Sequence, residues 1–271
     1  MQELTVIFFS CRRLDLLHKS IKAFSQLYGS LVGVPIIKKT NQMNEILING
    51  IIRRLSDKAL EYLNLSNQIK KIQFRDKLII VNDSGDRNIW EQLEKTYQGA
   101  TFVFNKENVG IIQSIDNGYL HIKTEYFFHC EDDWCVTKDG FIEQSLEIME
   151  ARPDIEEVWL ADYNNSPLEP EVLKIGNTSY QLLIENYQKG LNGYNDFAWH
   201  GFTTACGLKR LSDYKKVAPY ADVPWEGTIW HREQAIGEKY HDLGYRSACL
   251  IGEYAVNIGY GRSEYVTGNE K

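Results

Sequence analysis

Glu131, Asp132 and Asp133 stand in a row before Trp134, directly after the apolar run Tyr126–Cys130. Three adjacent carboxylates at the end of a buried strand repel one another and call for a nearby cation. Hard divalent ions take oxygen ligands, and Mg²⁺ or Mn²⁺ is commonly held by one or two carboxylates together with substrate phosphates. The same run reads, alternatively, as a solvated acidic turn. Cys130 and Cys135 flank it with no base partner in view, which argues against a thiol nucleophile. His129, inside the apolar run, reads as a satisfied core histidine.

The elements that must carry this motif follow an alternating rhythm. Leu4–Ser10, Lys77–Asn82, Ala100–Phe104, Tyr126–Cys130 and Val158–Ala161 are short apolar runs of the kind buried on both faces of a sheet. Between them, Leu14–Leu27, Ile89–Tyr97, Ile111–Ile122 and Gly140–Ala151 have helical spacing, the last stopped by Arg152-Pro153. Strands separated by such helices predict right-handed crossovers and a parallel sheet. Ligands of these sheets sit beyond the carboxyl ends of the strands. The polar clusters at 10–13, 83–86, 105–110 and 131–133 all fall there.

Two stretches break the rhythm. Residues 30–76 exceed what a crossover needs, and the spacing over Asn44–Leu55 and Asp57–Leu65 predicts a helical insertion. Residues 162–200 read as loops with one short helix around Ser179–Gln188. A strand over Ala205–Leu208 and a helix from about Trp230 to Leu243 complete the pattern.

Four segments, in order, resemble the nucleotide-sugar-dependent glycosyltransferases of the GT-A fold, particularly the inverting glycosyltransferase family 2 that includes cellulose and chitin synthases. Phe9-Ser10-Cys11-Arg12-Arg13-Leu14-Asp15-Leu16-Leu17 is similar to the opening P-T-Y-N-R-x-x-L-L turn, and Ile79-Ile80-Val81-Asn82-Asp83-Ser84-Gly85 to I-V-V-D-D-G-S. Asn108-Val109-Gly110 through Asn117-Gly118 is similar to the N-x-G helix entry, and Glu131-Asp132-Asp133 stands at the D-x-D position. The resemblance covers roughly residues 4–150 outside the insertion. It implies nucleotide contacts at Ser10 and Arg13 (base and ribose), Asn82 or Asp83 (base), Asn108 and Gly110 (backbone), and Glu131 and Asp132. It also implies a Mn²⁺ or Mg²⁺ ion on Asp133 that bridges the diphosphate. Two positions depart from the pattern: Asn82 replaces the usual first Asp, and Ile115 stands where many members carry an Arg.

In the second half, Arg232-Glu233-Gln234 through Gly244-Tyr245-Arg246 is similar in frame to E-D-x-D-L-x-x-R-L-x-x-x-G-Y-R, and Glu233 lies eleven residues before Gly244. The frame implies that Glu233 is the base that deprotonates the acceptor. Its bland alternative is an acid favoured by a helix amino end, and Glu226 is its rival. Trp199–Thr204 resembles the acceptor segment, with Thr203 and His200 as weaker candidates; His200 reads equally as a core residue, and His231 as structural or acceptor-facing. Asn257-Ile258-Gly259 resembles the H-x-G return to the metal, with Asn257 where a His would ligate and Arg262 as a diphosphate contact.

The expected architecture is therefore a single composite α/β domain of GT-A type, a Rossmann-like, mostly parallel sheet flanked by helices. Residues 1–150 form its nucleotide-binding half and 151–271 its acceptor-binding, catalytic half. The implied reaction is metal-dependent, inverting transfer of a sugar from a nucleotide diphosphate, UDP being the commonest in the fold, to a hydroxyl acceptor. A nucleotidyltransferase is the runner-up but would need a Gly-rich phosphate loop near the first strand, which Ser10–Arg13 lacks. A catalytically silent carbohydrate-binding relative would show a degraded acidic motif or Glu233 position, and both are intact.

Composition bounds the rest. A chain of 271 residues with 43% hydrophobic and 25% charged residues buries a full core, which excludes whole-chain disorder. A net charge of −7 argues against a nucleic-acid backbone as partner but is compatible with a phosphate ligand where a metal reverses the local sign. Five scattered cysteines without a CxxC pair read as reduced thiols. No apolar run approaches the ~20 residues of a membrane span, and the amino-terminal charge pattern reverses that of a secretory signal. A soluble cytoplasmic protein is expected.

Overall fold

The computed structural model describes residues 2–28, 45–48, 51–54, 72–160, 166–185, 198–225 and 229–259. Along the chain come β1 (Gln2–Ser10), α1 (Leu14–Tyr28), β2 (Glu45–Ile48), β3 (Ile51–Arg54) and β4 (Ile72–Asn82). Next are α2 (Arg87–Thr96), β5 (Thr101–Phe104), α3 (Ile111–Tyr119), β6 (Tyr126–Glu131), β7 (Trp134–Val136) and α4 (Phe141–Ala151). The remainder is β8 (Ile155–Trp159), β9 (Leu173–Ile175), β10 (Thr178–Leu182), β11 (Gly207–Arg210), α5 (Leu211–Val217), α6 (Ile229–Asp242), β12 (Arg246–Leu250) and β13 (Ala255–Asn257).

Nine strands form one sheet in the order β5-β4-β1-β6-β11-β8-β12-β10-β9. Only β11 and β10 run against the others, so the sheet is mostly parallel. Alternation along β1 explains the layers. Val6 and Phe8 point into one core with Leu17, Phe24, Leu93 and Phe141 from α1, α2 and α4. Ile7 and Phe9 point into the other with Ile115, Tyr119, Tyr214, Ile236 and Tyr240 from α3, α5 and α6. A sheet covered on both faces needs continuous apolar strands, which is why LTVIFFS and KLIIVN lack polar alternation.

The reversed β11 has a consequence for function. It pairs antiparallel with β6, Gly207 opposite His129, so the segment entering β11 arrives at the end of the sheet where β6 finishes. The carboxyl ends of β1, β4, β5 and β6 therefore share a rim with residues 200–206.

Two expectations need correction. The helix expected over Asn44–Leu55 is an antiparallel hairpin of β2 and β3, with Ile48 opposite Ile51. Asn49-Gly50 between two β-branched runs is the hairpin signal that the helical spacing obscured. The helix expected around Ser179–Gln188 is instead β10, paired with β9 through Ile175 and Thr178 across Gly176-Asn177. The expected helix at Asp57–Leu65 lies outside the described residues. Strand Ile155–Trp159 starts three residues earlier than expected, and the sheet adds β12 beside it.

Candidate active site

The rim is built from the ends of the strands upward. Asn82 closes β4 fully buried, its Nδ2 donating to the Cys11 carbonyl at 2.7 Å. Its Oδ1 accepts from Ser84 N at 3.3 Å, from Ser84 Oγ at 2.5 Å and from Trp90 Nε1 at 3.2 Å. A carboxylate could not donate to Cys11, which explains the Asn at this position. Asp83 is also buried. Its Oδ1 accepts from Asn105 Nδ2 and Val109 N, and its Oδ2 from Gly110 N, each at 2.9 Å. These bonds offset the burial that raises its pKa, and they hold the turn entering α3. Both side chains are thus engaged within the protein, whereas Asn108 is exposed, 3.3 Å from Cys11 Sγ. Gly110 stands at a φ of +83° with open space where a Cβ would be, so that backbone approach is unobstructed.

Arg13 opens α1, its carbonyl accepting from Leu16 and Leu17 at 3.0 and 3.1 Å. Its side chain crosses to the acidic motif, where it pairs with Asp132 and donates from Nη1 to Asp133 Oδ2 at 3.2 Å. Arg13 is the cation that the three carboxylates require; its guanidinium lies on the motif. Burial pushes the Asp132 carboxyl up to about 7 against the pull of Arg13 and of Ser10, which lies against it at the end of β1. Glu131 is driven well above the ordinary range, first by burial, then by the charges of Asp133, Glu233 and Asp132.

Asp133 Oδ1 is buried and has no hydrogen-bond partner among the described residues. An orphaned carboxylate oxygen beside further carboxylates suits a hard cation. Among the described residues no group of three or more His, Cys, Asp and Glu side chains holds a metal by itself. The donor set therefore fits an ion that completes its shell with phosphate oxygens and water. The chain's carboxyl-terminal segment lies against this motif. β13 pairs with β7, Asn257 opposite Trp134, and Ile258 N donates to the Asp133 carbonyl at 2.7 Å. Asn257 is exposed, its Oδ1 accepting from Gly259 N at 2.9 Å. Gly259 packs so tightly that an added Cβ would lie 2.4 Å from that of Asp133.

Glu233, in the first turns of α6, is 8% exposed. Its Oε1 accepts from Thr204 N and Thr204 Oγ1, both at 2.7 Å, and from Thr203 Oγ1 at 3.5 Å. Burial raises its pKa while these donors and Lys209 lower it. Loop 200–204 runs along one stripe of α6: Thr204 at Glu233, Phe202 over Gly237, and His200 stacked on His241 with ring centres 4.0 Å apart. The burial of His200 and the charge of the neighbouring His241 lower its pKa.

The rim thus brings together Ser10, Arg13, Glu131, Asp132, Asp133, Asn257, Thr203 and Glu233, with Asn82, Asp83, Asn108 and Gly110 along its side. His200 sits eight residues further along α6 from Glu233, against His241. Glu226 and Arg262 lie outside the described residues. Sequence reasoning misses Glu157 and Lys209, a fully buried ion pair beside Thr203. Polar residues inside EEVW and GLKR signal exposure until the register pairs them.

Residues 57–209 match the family model described as glycosyl transferase family 2. No curated protein sequence matches the chain. Among solved structures it is similar to S. aureus TarS 1-349, with a TM-score of 0.50 at 10% identity over 96% of this chain and 61% of that one. It is similar also to the mannosyltransferase PcManGT from Pyrobaculum calidifontis in complex with GDP-Man and Mn2+, with a TM-score of 0.50 at 10% identity over 97% of this chain and 59% of that one. The chain thus spans about three fifths of the length of these structures, and at this identity the likeness is one of fold. No described helix is long and apolar enough to cross a membrane.

Proposed function

The chain belongs to glycosyl transferase family 2, and from that premise we propose that it moves a sugar from a nucleotide diphosphate donor to a hydroxyl acceptor, with inversion. The observation that carries the reading is convergence: Glu233 and the Glu131–Asp133 motif share one rim, joined through His129, two residues before Glu131 on β6, whose Nε2 bonds the Thr204 carbonyl at 2.7 Å while Thr204 N donates to Glu233 at 2.7 Å. One site thereby offers a buried carboxylate for the acceptor and an acidic motif for the donor.

Glu233 serves as the base. Every hydrogen bond described for it falls on Oε1, so Oε2 is the oxygen assigned to the acceptor proton. The acceptor oxygen attacks the anomeric carbon as the bond to the diphosphate breaks on the opposite side, and its proton passes to Glu233. Asp133, with Glu131 beside it, would hold a Mn²⁺ or Mg²⁺ ion, and Arg13 keeps Asp132 paired. Such an ion supplies electrostatic stabilisation of the departing diphosphate. The similar mannosyltransferase carries GDP-Man and Mn2+, and UDP is the commonest donor nucleotide of the fold. Asn82 and Asp83, engaged internally, weigh for neither base.

Thermal melting with Mn²⁺ and a panel of UDP-, GDP-, CDP- and dTDP-sugars tests the proposal. One nucleotide sugar should raise the melting temperature, and only with metal present. No shift with any of them, or an equal shift after chelation, would refute it.

A further inference from the structure

We infer that Glu157, Lys209 and His129 form a buried clamp whose task is to position Glu233, acting through the peptide of Thr203 and Thr204. The inference rests on the reading of Glu233 as the base. All four main-chain polar groups of that residue pair are engaged. Thr203 N donates to Glu157 Oε1 at 2.8 Å, and the Thr203 carbonyl accepts from Lys209 Nζ at 2.9 Å. The Thr204 carbonyl accepts from His129 Nε2 at 2.7 Å, and Thr204 N donates to Glu233 at 2.7 Å. Three bonds fix the peptide so that the fourth has a set direction.

The clamp comes from strand register. Lys209 on β11 lies directly opposite Glu157 on β8, and Gly207, two residues earlier, lies opposite His129 on β6. All three side chains therefore leave the same face of three neighbouring strands. Lys209 and Glu157 are 4% and 0% exposed and form an ion pair. Lys209 Nζ also sits 4.6 Å from the Phe202 ring centre. Trp159 Nε1 donates to the Glu157 Oε1 atom at 2.6 Å. Burial and the Lys209 charge hold His129 neutral. It donates from Nε2 to a carbonyl, so Nδ1 accepts from Tyr119 Oη at 2.8 Å. A buried ion pair is seldom the cheapest way to fill a core; here its two charges bracket the segment that carries the donors to Glu233. Lys209 in addition opposes the effect of burial at Glu233.

Removing Lys209 alone leaves an unpaired buried carboxylate, so the test variant of the full chain is Glu157→Gln with Lys209→Met. Glu233→Gln is the reference. Two readouts are taken: exchange of the Thr204 amide hydrogen by NMR with diamagnetic Mg²⁺ present, and nucleoside diphosphate release from UDP-glucose and GDP-mannose with Mn²⁺ present. The folded double variant should exchange that amide at least about tenfold faster, and kcat should fall by about 100-fold, as for a roughly 1 Å misplacement, with donor KM within about threefold. The acid limb of its kcat profile should move to higher pH, because the cation that favours ionised Glu233 is gone. Unchanged Thr204 exchange in the folded double variant overturns the clamp. So does wild-type kcat with an unmoved acid limb while Glu233→Gln is inactive, a result that leaves the base reading intact. A fully active Glu233→Gln removes the base reading itself and the clamp's purpose with it.

Discussion

Gly259 offers the sharpest test of how the carboxyl-terminal segment fixes the acidic motif. A methyl carbon built on it would stand 2.4 Å from Asp133 Cβ, 3.2 Å from Cγ and 3.1 Å from Oδ2. Non-bonded carbons rest about 3.5–4.0 Å apart, so Gly259→Ala requires the two segments to part by roughly 1 Å. The backbone at Gly259 is outside the left-handed region, so alanine is acceptable there and the perturbation is steric. Relief has to come from the β13–β7 pairing or from Asp133, whose carbonyl accepts from Ile258 N at 2.7 Å. Overpacking of this kind costs about 1–3 kcal/mol, a drop of several degrees in melting temperature for a chain of this size. A displacement near 1 Å at a positioned group costs on the order of 100-fold in turnover. The assay is nucleoside diphosphate release with Mn²⁺, read beside thermal melting. Val256→Ala, at an exposed position of the same strand, is the control and should leave turnover unchanged. Wild-type turnover in folded Gly259→Ala, or an equal loss in Val256→Ala, would refute the argument that this contact sets Asp133.

Glu233→Gln should lower kcat by about 10²–10⁴-fold, the usual contribution of a general base. Its effect on stability should be opposite in sign: burial raises the Glu233 pKa above the ordinary 4.5, so the folded chain binds that proton more tightly than the unfolded one. Stability from this group is fully present at low pH and is lost as pH rises through the folded pKa. The variant's melting temperature should therefore gain on the wild type as pH rises above 4.5, and a fall as pH rises would contradict the assignment. Gly237→Ala sets about 1 kcal/mol of helix propensity against a Cβ placed 3.2 Å from that of Phe202. Melting should hold or rise while turnover falls several-fold, because the loop that must yield carries Thr203 and Thr204; unchanged turnover would show that the loop's position is not limiting.

Legibility in the sequence followed the range of the interactions. The buried strands and their helices were readable because apolar runs and helical spacing are local, and the rim followed because ligand sites lie at strand ends. The hairpins at Ile48/Ile51 and Ile175/Thr178 escape a reading by periodicity although Asn49-Gly50 and Gly176-Asn177 mark their turns, since short apolar runs fit helical spacing by chance. At the rim, the acidic motif was visible as a run of charge. Its cation was not, because Arg13 lies 120 residues from Asp133. Nor was the internal engagement of Asn82 and Asp83, which depends on Cys11 and on the turn at 105–110. Glu157 and Lys209 were the hardest to read: each looks like a surface residue until the register of β8 and β11 sets them opposite each other.

The charge balance at the rim leads to a last prediction, that cation and donor bind as a pair. Arg13 is engaged with Asp132 and Asp133, so among the described residues the acidic motif keeps little free positive charge for a diphosphate on a chain of net charge −7. Conversely, the described residues give a divalent ion the orphaned Asp133 Oδ1 but no complete set of ligands. Each ligand supplies what the other lacks: the ion brings positive charge, and the phosphates bring oxygen ligands. Linkage makes the coupling reciprocal, so a nucleoside diphosphate should tighten Mn²⁺ by the same factor as Mn²⁺ tightens the nucleotide. Calorimetric titration of Mn²⁺ with and without saturating UDP or GDP should show at least about tenfold tighter binding in the presence of one nucleotide, or roughly 1.4 kcal/mol of coupling. Asp133→Asn should abolish that coupling while leaving the melting temperature of the ligand-free chain near that of the wild type. Equal Mn²⁺ affinity with and without either nucleotide, or coupling that survives in Asp133→Asn, would refute the joint site.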